Sequence, residues 1–231
     1  IDNKYYNICI YIFLIILSFS LNFYVASNGV FPVDTFIHYD NGYRILLGEA
    51  PVKDYWIVHG FIIDYIQAFF FKIFGNNWNS YLIHSSIFNV IVTISSYLIF
   101  RMLQINIYFI VILSISVAFL AYPVSGTPFL DLHSTFFTLL AVYSIIFGII
   151  KESDISWFYA SIFLCLFFFS IYVPACYTIL GFGLVNIYLA INKKKLNIFF
   201  YFIFGAILIL LFIFLLLIVN EIEFKNFILQ F

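Results

Sequence analysis

The chain has 231 residues, of which 65% are hydrophobic, 23% aromatic and only 9% charged, and its net charge is −1. A soluble domain carries about 25% charged residues, and a fold of this size cannot hide so much apolar surface from water. The composition excludes an ordinary soluble enzyme, and without a basic stripe no nucleic-acid partner is expected.

In chain order, seven apolar segments read as membrane helices: 5–26, 79–100, 105–122, 134–150, 156–173, 175–191 and 197–219. The expected fold class is therefore all-α, a polytopic membrane helix bundle forming a single domain over 1–231. The first segment is too long for a signal peptide and no small-x-small cleavage site follows it, so it reads as an anchor. Lys4, Arg101, Lys151 and the run Lys193–Lys195 fall at the N-terminus and at every second connection, whereas 123–133 and 173–174 carry no Lys or Arg. The positive-inside rule then places the N-terminus in the cytoplasm and the loop 27–78 outside. The expected setting is a bacterial inner or plasma membrane. All five prolines (Pro32, Pro51, Pro123, Pro128, Pro174) lie on or near the outer side. Cys9, Cys165 and Cys176 sit in apolar segments without metal spacing and read as core thiols. The chain starts at Ile1 without methionine, and a fragment lacking a C-terminal part is expected.

The polar chemistry is concentrated in the long loop. "TFIHYDNGYRILLG" reads as a short helix ending at Gly48, and "FIIDYIQAFFFKIFG" as a second ending at Gly75. The second is strongly apolar, with Asp64, Gln67 and Lys72 as exceptions, and suits the membrane interface. A folded cap on the membrane surface suits chemistry on a lipid-linked substrate. Asp40 admits two readings, an N-cap for a helix starting at Asn41 or a catalytic carboxylate. Asp34 is a second acid nearby. Asp131 and Ser134 could cap the fourth span, and Asp34, Glu49, Asp54 and Asp64 read as solvated or interface carboxylates. His38, His59 and His84 read as satisfied structural histidines. Tyr55 and Trp56 suit the headgroup zone. No Asp, Glu, Lys or Arg falls in mid-span, which argues against an ion-coupled transporter.

The string "YDNGYRILLGEAPVKDYWIVHG…IDYIQAFFFKIFG" resembles the first outer loop of GT-C-type polytopic glycosyltransferases, in the branch of oligosaccharide-modifying and arabinose-transferring enzymes. Asp40, Gly42, Tyr43, Leu47, Gly48, Pro51, Asp54, Tyr55, His59, Gly60, Tyr65, Ala68, Phe74 and Gly75 follow that pattern in order. Asn41 departs from it, since Glu is frequent there. The resemblance implies an N-terminal seven-span catalytic module and a membrane glycosyltransferase, inverting, moving a hexosyl or pentosyl unit from a polyprenyl-phosphate donor. The acceptor would be a lipid, a glycan or a protein on the outer face. It implies Asp40, or else Asp34, as general base, with Asp131 as a further acid. Arg44, Lys53, Tyr43, His59 and His133 would bind substrate. Asp40, Asp131 and His133 could hold a divalent metal (Mn, Mg or Zn), because Asp131-Leu132-His133 is similar to the metal-holding Asp-x-Asp pair of some oligosaccharyltransferases. The alternative reading is a transporter or flippase of a lipid-linked intermediate. It demands polar residues lining a path through the spans, and few are present.

Overall fold

A computed structural model describes residues 4–29 and 34–229, with Lys4 and Tyr6 described by their backbone alone. Pro32 lies outside the described residues. Among the described residues ten α-helices follow in order: α1 (Lys4–Asn28), α2 (Ile37–Leu46), α3 (Ile62–Phe74), α4 (Trp78–Met102), α5 (Ile107–Leu120), α6 (Leu130–Ile150), α7 (Ile155–Phe168), α8 (Tyr172–Asn192), α9 (Leu196–Val219) and α10 (Phe224–Ile228). A short 3-10 turn at Tyr122–Val124 follows α5. No strand occurs among the described residues.

Among the described residues, six helical stretches are long and apolar enough to cross a bilayer, those of α1, α4, α5 with its 3-10 turn, α6, α8 and α9. The expected seventh, 156–173, is corrected in length. α7 has 14 residues, about 21 Å at 1.5 Å per residue, against a hydrocarbon core of about 30 Å. It stops because Ser170 and Ile171 both donate their N–H to the Phe167 carbonyl, closing the last turn at distances of 3.0 Å. The carbonyls of Phe169 and Ser170 then accept from the long loop: Ile62 N–H to Phe169 O at 3.3 Å and Gly60 N–H to Ser170 O at 2.8 Å.

The chain divides into two compact units, 1–43 with 66–132, and 44–65 with 133–231. In the first unit α1, α4 and α5 pack on one another, around Ile10, Leu14, Tyr97 and Ile110. Between lipid-embedded helices there is little hydrophobic drive, so polar contacts hold the bundle. Asn22 Nδ2 donates to Ser85 Oγ (2.9 Å), Ser86 Oγ (3.0 Å) and the Gly126 carbonyl (3.2 Å). Asn89 Nδ2 donates to the carbonyls of Ser18 (2.9 Å) and Ala118 (3.1 Å). Asn22→Leu should lower stability by about 1–2 kcal/mol, read as a lower melting temperature in detergent. An unchanged melting temperature would show that the Asn22 contacts carry no net stability.

In the second unit α7, α8 and α9 pack around Trp157, Ala160, Leu164, Ala190, Ile198 and Phe202. The loop segment 49–62, the turn 169–171 and Asn220–Glu221 share one end of this unit, joined by the Gly60 and Ile62 bonds and by Lys53, whose Nζ lies 3.1 Å from Glu221 and 3.2 Å from the Asn220 carbonyl. Lys195 pairs with Glu152 at 3.2 Å at the opposite end. Cys9 and Cys176 are exposed on the bundle and Cys165 is half-buried, all as free thiols. Cys9 and Cys176 thus face outward, a correction to the core reading.

The loop helices end where the glycines predict. Gly48 (φ 92°) and Gly75 (φ 86°) follow α2 and α3 in the left-handed region, which an unsubstituted Cα enters freely. α3, at 13 residues, is about 20 Å long and too short to span. It departs from the pattern of a water-soluble helix, although Lys72 is exposed and Ile62, Ile63 and Phe71 are buried. Asp64 and Gln67 are fully buried, whereas Phe69, Ile73 and Phe74 are exposed. An apolar outer face is what a lipid-facing helix needs.

Candidate active site

The first unit carries the acids Asp34, Asp40 and Asp131. Asp34 has φ 57° and its carbonyl accepts the Ile37 N–H at 3.3 Å, so it forms the turn that starts α2. α2 therefore begins four residues earlier than Asn41. Asp40 donates its N–H to Phe36 O at 2.8 Å and lies inside the helix, in its first turn. The N-cap reading of Asp40 is overturned, because Phe36, packed on Trp78 with ring centroids 5.8 Å apart, fixes the helix start upstream. The Asp40 side chain is exposed, and a carboxylate in the first turn is favoured by the helix dipole.

The opposite face of α2 is locked. His38 and Gly42, one turn apart, are buried, and a Cβ on Gly42 would fall 2.7 Å from Gln67 Cγ. Gln67 accepts from His84 Nδ1 at 2.7 Å, and the His84 ring stacks on Phe70 at 4.7 Å. Between those positions Tyr39 packs against Phe71 (4.9 Å), Trp78 (6.1 Å) and Tyr81 (5.4 Å). Tyr43 is 38% exposed. Asp40 thus sits on the exposed side of a helix whose other face is held by side chains from α3 and α4.

Asp131 is exposed in the first turn of α6, and α6 begins at Leu130. Neither Asp131 nor Ser134 is therefore the residue before the helix, so the capping readings of both are corrected. His133 is fully buried on the same helix. Residues two apart on a helix point about 200° away from each other. Asp131 is accordingly exposed while His133 is enclosed.

In the second unit, Arg44 Nη1 lies 3.4 Å from Glu49 Oε2, and its guanidinium stands 5.2 Å from the centre of the Tyr55 ring. Trp56 is exposed, as a headgroup anchor would be. Asp54 accepts the Ala50 N–H at 2.7 Å and closes the turn 50–55. His59 is buried, its Nδ1 2.8 Å from the Gly60 carbonyl, and Tyr172 donates to the His59 carbonyl at 3.4 Å.

Asp64 is the residue the sequence reading placed wrongly. It is fully buried rather than solvated, and a carboxylate oxygen lies within 4.8 Å of a His59 ring nitrogen. Burial, and then the Asp64 charge, push the Tyr65 hydroxyl up to about 12. Tyr55 is pushed higher still by burial first and Asp64 second, with Arg44 opposing. Both phenols stay protonated donors at any physiological pH. The signal in the sequence was the spacing of Asp64 and Gln67, three apart on a mostly apolar helix, which puts both on one face. Asp64→Asn should bring the Tyr65 ionisation below about 12, though not to the ordinary value, since burial remains. The difference in tyrosinate absorbance between Asp64→Asn with and without Tyr65→Phe reads this. A Tyr65 titration identical to that of the parent would remove Asp64 from its surroundings.

Six apolar spans and a folded loop of buried-anchored short helices define an integral, multi-pass membrane protein. The sequence profile of the dolichyl-phosphate-mannose-protein mannosyltransferase family matches residues 58–218, and the chain belongs to that family. It is a membrane glycosyltransferase of GT-C type that draws on a polyprenyl-phosphate sugar donor. No curated protein and no solved structure matches the chain.

Proposed function

We propose that this protein transfers a sugar, mannose in keeping with its family, from a polyprenyl phosphate to an acceptor hydroxyl on the outer face of the membrane, with inversion at the anomeric carbon. The family name points to a protein as acceptor. Asp40 is the general base. The acceptor oxygen forms its bond to the anomeric carbon as its proton passes to the Asp40 carboxylate. The bond from that carbon to the phosphate oxygen breaks, and the electron pair leaves with the polyprenyl phosphate. Arg44, one turn further along α2, meets the phosphate, where a planar guanidinium suits paired oxygens. Asp131 orients the acceptor.

The observation that carries this reading is the exposed Asp40 on a helix immobilised through His38, Tyr39 and Gly42. A base must be both reachable and fixed. Asp34, committed to the turn before α2, is the weaker candidate. The outer-face assignment rests on the charge alternation of the connections.

The test uses the full-length protein in liposomes with radiolabelled polyprenyl-phosphate mannose and a membrane-protein extract as acceptor. Label is expected in the protein fraction. Movement of the labelled lipid across the bilayer with no label transferred would overturn the reading in favour of a flippase.

A further inference from the structure

Two loop segments far apart in sequence carry the exposed acids of the first unit, and a single buried hydroxyl touches both. Tyr81, in the first turn of α4, is fully buried. Its hydroxyl lies 2.5 Å from the Thr35 carbonyl, five residues before Asp40, and 3.2 Å from the Pro128 carbonyl, three residues before Asp131. Its ring also packs edge-on against Tyr39, the neighbour of Asp40, at 5.4 Å. Thr35 is 2% exposed and Pro128 is buried, so neither carbonyl can turn to bulk water.

We infer that Tyr81 is a positioning residue that sets the separation of Asp40 and Asp131 through the backbone of their two segments. This rests on the reading of Asp40 as the base. The physical argument is one of satisfied groups. A phenol carries one proton, which two buried carbonyls share. Without it both buried carbonyls lose the donor they share, and the tie that this proton makes between the two segments is gone. The segments before α2 and α6 would then shift independently. Other contacts of the first unit hold α4 to α1 and α5, through Asn22 and Asn89, so the helix bundle does not depend on this hydroxyl.

Tyr81 touches neither donor nor acceptor in this account, so its loss should act on turnover rather than on binding. A misplacement of about 1 Å can lower a rate by about 100-fold. Tyr81→Phe is expected to lower kcat between about 10- and 100-fold, with KM for polyprenyl-phosphate mannose changed by less than about 3-fold. A merely structural residue would lower the amount of folded enzyme and leave the two acids acting as before. The deciding measurement is a cycle in the full-length protein: Asp131→Asn alone, Tyr81→Phe alone, and both together. If Tyr81 sets the spacing, Asp131→Asn costs much less turnover in the Tyr81→Phe background than in the parent. Multiplying effects, or an unchanged kcat for Tyr81→Phe, would overturn the inference.

A distance measurement applies if transfer is too slow to follow. Spin labels on Tyr43→Cys and Val124→Cys, both at exposed positions, are placed in a chain with Cys9, Cys165 and Cys176 replaced by serine. Their separation should broaden with Tyr81→Phe, and an unbroadened distribution would also overturn the inference. Full activity of Asp40→Asn is a separate outcome. It would sink the assignment of the base while the spin-label result still judged the spacing role.

Discussion

Replacing Asp40 by asparagine should reduce sugar transfer by at least about 100-fold, the lower end of what a positioned general base contributes. The substitution keeps size, and the Asp40 side chain is exposed on a helix held from its opposite face, so the fold should be unaffected. The favourable interaction of a first-turn carboxylate with the helix dipole is lost, which costs about 0.5 kcal/mol. That is small beside the expected loss of activity. The KM for the lipid donor should hardly move, because the amide can still accept a hydrogen bond but cannot take the proton. Asp34→Asn serves as the contrast. Asp34 contributes through its backbone carbonyl to the start of α2, and turnover of that variant should stay within about 3-fold of the parent. Equal damage from the two substitutions, or none from Asp40→Asn, would remove Asp40 from the role of base.

Gly60→Ala should release the loop from the second unit. A Cβ at Gly60 would lie 1.8 Å from the Phe169 carbonyl oxygen, 2.1 Å from its carbon and 2.6 Å from the Ser170 nitrogen. These are backbone atoms at the end of α7, and they cannot swing aside as a side-chain tip could. The two strands of chain must part, and the Gly60 to Ser170 and Ile62 to Phe169 hydrogen bonds break with them. Overpacking together with two lost hydrogen bonds is expected to cost about 3 kcal/mol. Phe61, whose ring lies tilted against those of Phe169 at 5.8 Å and Phe227 at 6.1 Å, would lose its seat as well. Limited proteolysis reads the outcome. Cleavage in 49–60 should appear in Gly60→Ala while the spans stay intact, and protection equal to that of the parent would refute the close-approach argument.

The spans were legible because hydropathy is a local sum. The predicted 79–100 and 197–219 differ from α4 and α9 by at most two residues at either end. The loop helices were legible through their glycine stops, and Gly48 and Gly75 both adopt the expected left-handed backbone. The start of α2 was not, because it depends on Phe36 against Trp78 and on a turn at Asp34, and no local signal at Asn41 competes with those. The shortened α7 was hidden for a related reason. Phe169-Ser170-Ile171 is as apolar as the helix it ends, and its carbonyls are turned outward to meet a loop more than a hundred residues earlier.

Sequence alone determined that this chain lives in a bilayer, where its charges alternate, and that its polar side chains concentrate in one long loop, because composition, spacing and backbone-permissive glycines are properties of neighbouring residues. Tertiary structure decided which of those side chains face out. Asp40 is presented and Asp64 is enclosed, although both are first-turn acids on short helices of the same loop. The difference lies in what packs against each helix. The face of α2 that lacks Asp40 is covered by residues of α3 and α4, while α3 turns its polar side inward because lipid is the poorer partner for a carboxylate.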